Sequence, residues 1–249
     1  MTVHDQAVAA LFAGALIAFL VLQFLSAPYG RHVRAGWGPS VGQRAGWIGM
    51  EIPTLLVFLP VYSRGAHAGE VVPLLMCALW AVHYVHRTLV FPFRIRRSTK
   101  RTPLVIVGLA FAFQVVNSWV NASQVSELGQ YPSSWLSDPR FIAGIGLFLV
   151  GQGINHHADH ILLNLRKPGE TGYRIPRGGL YGWVTCPNYL GEIVIWLGWA
   201  VATWSTAGLA FFAFTCANLV PRAAEHHRWY HQTFEDYPKE RKALVPYIW

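Results

Sequence analysis

The stretch from residue 151 to residue 192, GQGINHHADHILLNLRKPGETGYRIPRGGLYGWVTCPNYLGE, sets Asn155, His156, His157, Asp159, His160, Arg166, Arg174, Asn188 and Glu192 among runs otherwise as apolar as a membrane span. At about 100° per residue, Asn155, Asp159 and Arg166 fall within roughly 40° of one another on a helix and form one polar stripe. Asn188 and Glu192 repeat the i, i+4 spacing on the helix that follows. Polar and ionisable side chains are costly in lipid, so a stack of them at membrane depth reads as an internal site, facing a bundle interior or a wet cavity.

The rest of the chain agrees with that reading. Its 249 residues are 53% hydrophobic and 13% charged, with a mean hydropathy of +0.31, which is too apolar for an ordinary soluble domain. The gaps between apolar runs are short, so residues 1–249 form one membrane-embedded domain. The fold class is all-α, a bundle of seven transmembrane helices at roughly 7–25, 47–62, 71–91, 102–120, 140–165, 180–204 and 209–230. A pI near 9.7 invites a nucleic-acid partner, and the placement of the charges argues against one. All of the 20 Lys and Arg except Arg64 and Arg140 lie on or beside the loops of a single side. This is the positive-inside pattern, which puts the C-terminus in the cytoplasm and the N-terminus outside. It suits a multi-pass protein of a bacterial inner membrane or of the endoplasmic reticulum, and it gathers cations where a phosphorylated ligand would arrive. The first apolar run lacks a basic segment before it, so it is expected to be retained. Cys77, Cys186 and Cys216 are odd in number and form no CxxC pair, so neither a disulfide framework nor a zinc site is expected. The histidines at 156, 157 and 160 and at 226, 227 and 231 lack a paired carboxylate arrangement, so no metal is assigned to them.

Further polar groups converge on the cytoplasmic side. Glu51 lies near that end of the second span with Pro53 close behind. It is either an interfacial carboxylate or, facing the cavity as a neutral acid, a hydrogen-bond donor. WAVHYVHRTLVFP packs His83, Tyr84, His86 and Arg87 together, and FRIRRSTKR follows as a basic run that suits anionic lipid or a phosphate. The fourth span is mostly apolar, with Asn117 and Asn121 at its far end. Pro187 falls inside the sixth span and should kink or break it. Arg222, His226 and Tyr230 form a second stripe at i, i+4 and i+8, and the tail should fold against the cytoplasmic face. Arginine forks match phosphates, while Asn and Asp suit ribose hydroxyls or a carboxamide, so the implied ligand is a large anionic cofactor. Neither a Rossmann glycine fingerprint nor a Walker A sequence is present.

The run INHHADHILLNLRKPGETGYRIPRGGLYGWVTCPNYLGEIVIWLGWA, with EHHRWYHQTFEDYPKERKALVPYIW at the end and MEIPTLLVF and HYVHRTLVFP upstream, closely resembles the steroid 5α-reductase family, the NADPH-dependent 3-oxo-5α-steroid 4-dehydrogenases. The resemblance implies a seven-helix membrane fold, NADPH held near the cytoplasmic side, and reduction of the C4=C5 bond of 3-oxo-Δ4 steroids such as testosterone or progesterone. Glu51 and Tyr84 match the family's pair that hydrogen-bonds the steroid 3-ketone. Asn155, Asp159, Arg166, Tyr173, Arg174, Asn188, Glu192, Arg222, His226 and Tyr230 match positions lining the cofactor cavity, and Arg97 and Arg101 are candidates for its phosphates. Met50 stands where the familiar steroid enzymes carry Gln, and WGPSVGQRAGW departs from their first loop. Those departures leave room for another enone or lipid: a sterol, a polyprenol or an enoyl thioester. A membrane methyltransferase using S-adenosylmethionine is the runner-up, since isoprenylcysteine methyltransferases have similar PNY-like segments. That cofactor has no diphosphate or 2′-phosphate to occupy the arginines. A non-catalytic sterol-binding protein would leave Arg166, Arg174 and Arg222 without a role. The expected partners are a steroid or related lipid substrate and membrane lipid, with no obligate protein partner.

Overall fold

The computed structural model describes residues 1–28, 30–32, 34, 36–95, 99–167, 170 and 172–249. Seven long helical segments run through the described residues: α1 Val3–Phe24, α2 Gln43–Tyr62, α3 Val71–Arg94, α4 Leu104–Leu128, α5 Pro139–Asn164, α6 Pro187–Thr203 and α7 Thr206–Thr233. Of these, α1, α2, α3, α4 and α7 are long and apolar enough to cross a membrane. Their outward faces carry side chains such as Leu16, Leu20, Leu74, Val82 and Leu109 in exposed positions, as a surface turned to lipid would.

Proline sets several local details. Pro53 has no N–H, and α2 breaks there, so that its first piece, Gln43–Glu51, ends on the carboxylate of interest. In α3 a π turn over His86–Val90 precedes Pro92, a departure from α geometry that recurs at functional sites. Pro187 does not kink a longer helix. It opens α6, where a missing N–H is no loss and the fixed φ is already helical. Residues 180–186, expected within that helix, instead form a short 3₁₀ turn at Gly179–Gly182 and a loop. The C-terminal tail docks on this loop: Lys242 N–H donates to the Trp183 carbonyl at 2.9 Å, and Thr185 N–H donates to that of Lys242 at 2.8 Å. Two short strands, β1 Ser40–Gly42 and β2 Arg101–Pro103, pair antiparallel with Ser40 opposite Pro103, and this pairing delays the start of α4 to Leu104.

The closest packing joins α5 to α6. A Cβ at Gly144 would lie 2.4 Å from the Ala202 nitrogen, and at Gly151 2.6 Å from that of Ile195. One at Gly191 would lie 2.6 Å from the Asn155 nitrogen, and at Gly198 2.5 Å from that of Phe148. The two backbones therefore touch along a glycine seam, and the seam presses Asn155 against the turn that carries Asn188 and Glu192. Around Trp80, which is fully buried, Phe58 stacks at 4.4 Å and Trp199 and Trp196 lie at 5.3 and 5.5 Å. At the other end of the bundle, Tyr131 donates to the Thr203 carbonyl at 2.8 Å, and burial pushes its phenol up to about 12. Asp138 caps α5, and the Arg140 guanidinium beside it holds its carboxyl down to about 2.

Candidate active site

Asn155 and Asp159 are buried on one face of α5. The helix ends at Asn164, so Arg166 leaves the stripe that continued helicity would have given it, and its guanidinium donates to the Gly172 carbonyl at 2.9 Å from an exposed position. The Asn155 amide donates to Glu192 Oε1 and to the Asn188 carbonyl, each at 3.1 Å. Its own carbonyl oxygen is buried and accepts from no group among the described residues. Glu192 also accepts from the Trp196 indole at 3.2 Å, and His83 Nε2 lies 3.7 Å from it. His83 is held on its other side by Gln152 at 3.1 Å.

Arg87 ties α3 to this cluster. Its guanidinium lies 3.4 Å from Asp159 and 3.4 Å from Glu192, over the rings of Trp47 and Phe91 at 4.8 and 5.0 Å. Arginine's planar fork serves such a two-directional contact and its diffuse charge tolerates ring faces. Glu51 is within electrostatic reach of both Arg87 and Glu192. Its Oε2 accepts from the Gln114 amide at 3.4 Å. The Tyr84 ring is buried against Trp80 and Trp196, at 4.9 and 5.6 Å, with its phenol beside Glu51 and Gln114. An acid, a phenol and a guanidinium-linked polar cluster are thus contiguous where α2, α3, α5 and α6 meet.

The stripe on α7 divides. Arg222 donates to the Tyr189 hydroxyl at 2.9 Å and to Asn218 at 3.0 Å, and His226 shares the same Tyr189 hydroxyl at 3.1 Å, so these two sit beside the start of α6. His32, from the first loop, stacks on His226 with ring centres 5.2 Å apart. Tyr230 is buried among Phe234 and Tyr237, at 5.8 and 5.1 Å, where it anchors the tail. Tyr173 lies over Trp229 at 4.9 Å and contacts Lys100. Arg174 pairs with Glu170 at 2.7 Å on the exposed surface, and Arg101 is bonded to Ser40. Arg97 lies outside the described residues. Arg87, Gln114, Tyr189 and His32 belong to the site without having been assigned to it from the sequence. Of these, Arg87 had a usable signal, standing three residues after Tyr84.

Comparison with known proteins places the chain among relatives of one kind. The profile of the family described as 3-oxo-5-alpha-steroid 4-dehydrogenase matches residues 100–249. The 3-oxo-5-alpha-steroid 4-dehydrogenase 1 of Bos taurus is 44% identical, over 94% of this chain and 92% of its own. Steroid 5-alpha-reductase DET2 of Gossypium hirsutum is 42% identical over 100% and 98%, and that of Arabidopsis thaliana is 44% identical over 96% and 94%.

Proposed function

Because the chain belongs to the 3-oxo-5-alpha-steroid 4-dehydrogenase family, we propose that Glu51 and Tyr84 grip the 3-ketone of its substrate while NADPH serves as reductant from the cytoplasmic side. The protein is an oxidoreductase that reduces 3-oxo-Δ4 steroids. Support for the residue assignment comes chiefly from Arg87, whose single guanidinium lies between the Glu51–Tyr84 pair and the α5–α6 cluster.

The cofactor fits the groups present. The buried, unengaged oxygen of Asn155 is an acceptor for a carboxamide N–H, and burying an acceptor with no donor is otherwise costly. Asn155, Asp159, Asn188 and Glu192 would hold that end of NADPH. Arg222 and His226, with Tyr230 behind them, and Arg166, Tyr173, Arg174, Arg97 and Arg101 would meet its phosphates and ribose. When bound, NADPH supplies the hydride for C5.

Addition at C5, the β-carbon of the enone, moves charge onto the distant C3 oxygen, and a proton completes C4. Glu51 in its neutral form and Tyr84 would both donate to that oxygen, stabilising the charged transition state more than the uncharged ketone. A neutral acid and a phenol play this part in ketosteroid isomerase, the handling of an enolate on an unrelated fold. The bundle would cross the membrane seven times, α5 and α6 included, with the N-terminus outside and the C-terminus in the cytoplasm.

Membranes containing the protein should convert progesterone or testosterone to the 5α-dihydro product with NADPH. Glu51→Gln and Tyr84→Phe should each lower turnover by about 10²- to 10³-fold, with NADPH binding retained in a thermal-shift titration. Wild-type turnover in both variants would remove the pair from the reaction.

A further inference from the structure

Helix α4 carries Gln114, Asn117 and Asn121 at i, i+3 and i+7, on one face, and the mechanism above uses none of them. Asn117 and Asn121 are buried to 1% exposure or less, so their amides must be satisfied inside the bundle. Their orientation follows from the far end of the row. An indole N–H can only donate, and that of Trp199 lies 2.8 Å from the Asn121 side-chain oxygen. The Asn121 NH₂ therefore faces the Asn117 backbone carbonyl and side-chain oxygen, both at 3.0 Å. The Asn117 NH₂ is thereby turned to Gln114 Oε1 at 3.3 Å, and the Gln114 NH₂ to Glu51 Oε2 at 3.4 Å. Every link donates in one direction, from Trp199 towards Glu51. Turning any one amide over would set donor against donor or acceptor against acceptor in a buried place.

We propose that Gln114 is a positioning residue: by donating to Glu51 Oε2 it makes that oxygen the acceptor side of the acid and leaves the hydroxyl on Oε1, free to donate to the 3-oxygen of the steroid. The inference rests on the reading of Glu51 as a ketone donor and supplies the reason that it presents a proton rather than a lone pair. A carboxylic acid free to rotate can turn its carbonyl oxygen towards the ketone, acceptor facing acceptor. The amide row removes that choice. The Tyr84 phenol, also beside the Gln114 side chain, faces the same polarity.

The test uses the full-length protein in membranes, with progesterone and NADPH, and kcat normalised to protein that binds NADPH. Gln114→Met, which keeps the shape and removes the amide, should lower kcat roughly tenfold, less than the loss of a direct donor, with the progesterone KM changed by less than about twofold. Trp199→Phe, remote from the ketone, should lower kcat by a smaller factor alone and by nothing further in the Gln114→Met background, since both act through one oxygen. The C3=O stretch of ¹³C-labelled progesterone bound with NADP⁺ should move towards its unbound frequency in Gln114→Met. A wild-type kcat and an unmoved carbonyl band in Gln114→Met, with Glu51→Gln slow, overturn the role of Gln114 alone. Wild-type turnover in Glu51→Gln overturns the donor reading and this inference with it. Should Gln114→Met fail to fold, an unchanged kcat and carbonyl band in Trp199→Phe overturn the proposal.

Discussion

Arg87 shows what one residue can join. It faces two carboxylates from two helices at 3.4 Å each, with little exposure to water. Removing it would leave buried Asp159 and partly buried Glu192 without their cation, and the loss of one partner of a buried pair typically costs about 3–5 kcal/mol. Arg87→Met should therefore have a lower unfolding midpoint in detergent and weaker NADPH binding. Arg87→Lys should recover little of either, because an ammonium group lacks the fork that reaches both partners. Normal stability in Arg87→Met would mean that the two carboxylates tolerate each other unaided. The sequence marks His83 to Arg87 as an anomalous polar cluster, yet the partner of Arg87 stands 72 residues away, and no local spacing encodes a contact between helices. Gln114 is harder still to read. An amide in a mostly apolar run looks incidental until the direction of its hydrogen bonds is traced through Asn117 and Asn121 to an indole on another helix.

Among elements, the pairing of α5 and α6 is the most demanding. An added methyl at Gly191 would meet the Asn155 backbone at 2.6 Å, and overpacking of this kind costs about 1–3 kcal/mol. Gly191→Ala should lower both thermal stability and NADPH affinity, since Asn155 and Glu192 would be driven apart. Gly153→Ala, where no atom lies within 4 Å, should leave affinity unchanged and raise stability by up to about 1 kcal/mol through helix propensity. Equal effects of the two would show that the seam is not the constraint. Existence of the helices was legible because each is a long apolar run, but their ends were not. Pro187 reads equally as a kink or a first residue, and strands of three residues are too short to show alternation.

For the molecule as a whole, the distribution of charge was informative where contacts were not. Arg64 and Arg140 stand in the segments that join α2 to α3 and open α5, and the other basic residues, counted along the sequence, fall in or beside the loops of the opposite side. A cysteine introduced at exposed Ser134 should react with a membrane-impermeant maleimide in intact cells, whereas one at exposed Lys239 should react only after permeabilisation. The opposite pattern would invert the orientation, and the natural cysteines, half-buried or buried, provide the background. Length, apolar runs and charge asymmetry thus yield a bundle with a polar end. Which helices touch there depends on side-chain shape and glycine placement, and these emerge only in three dimensions. The meeting of α5 and α6 also bears on how such a chain can diverge. On α5 the exposed Ile142, Leu149 and Val150 can exchange one aliphatic type for another without meeting a neighbouring side chain, whereas positions 144 and 151 admit change only if the opposing helix changes too. Drift is therefore channelled to one half of the helix circumference, and the other half is inherited as a unit with its mate.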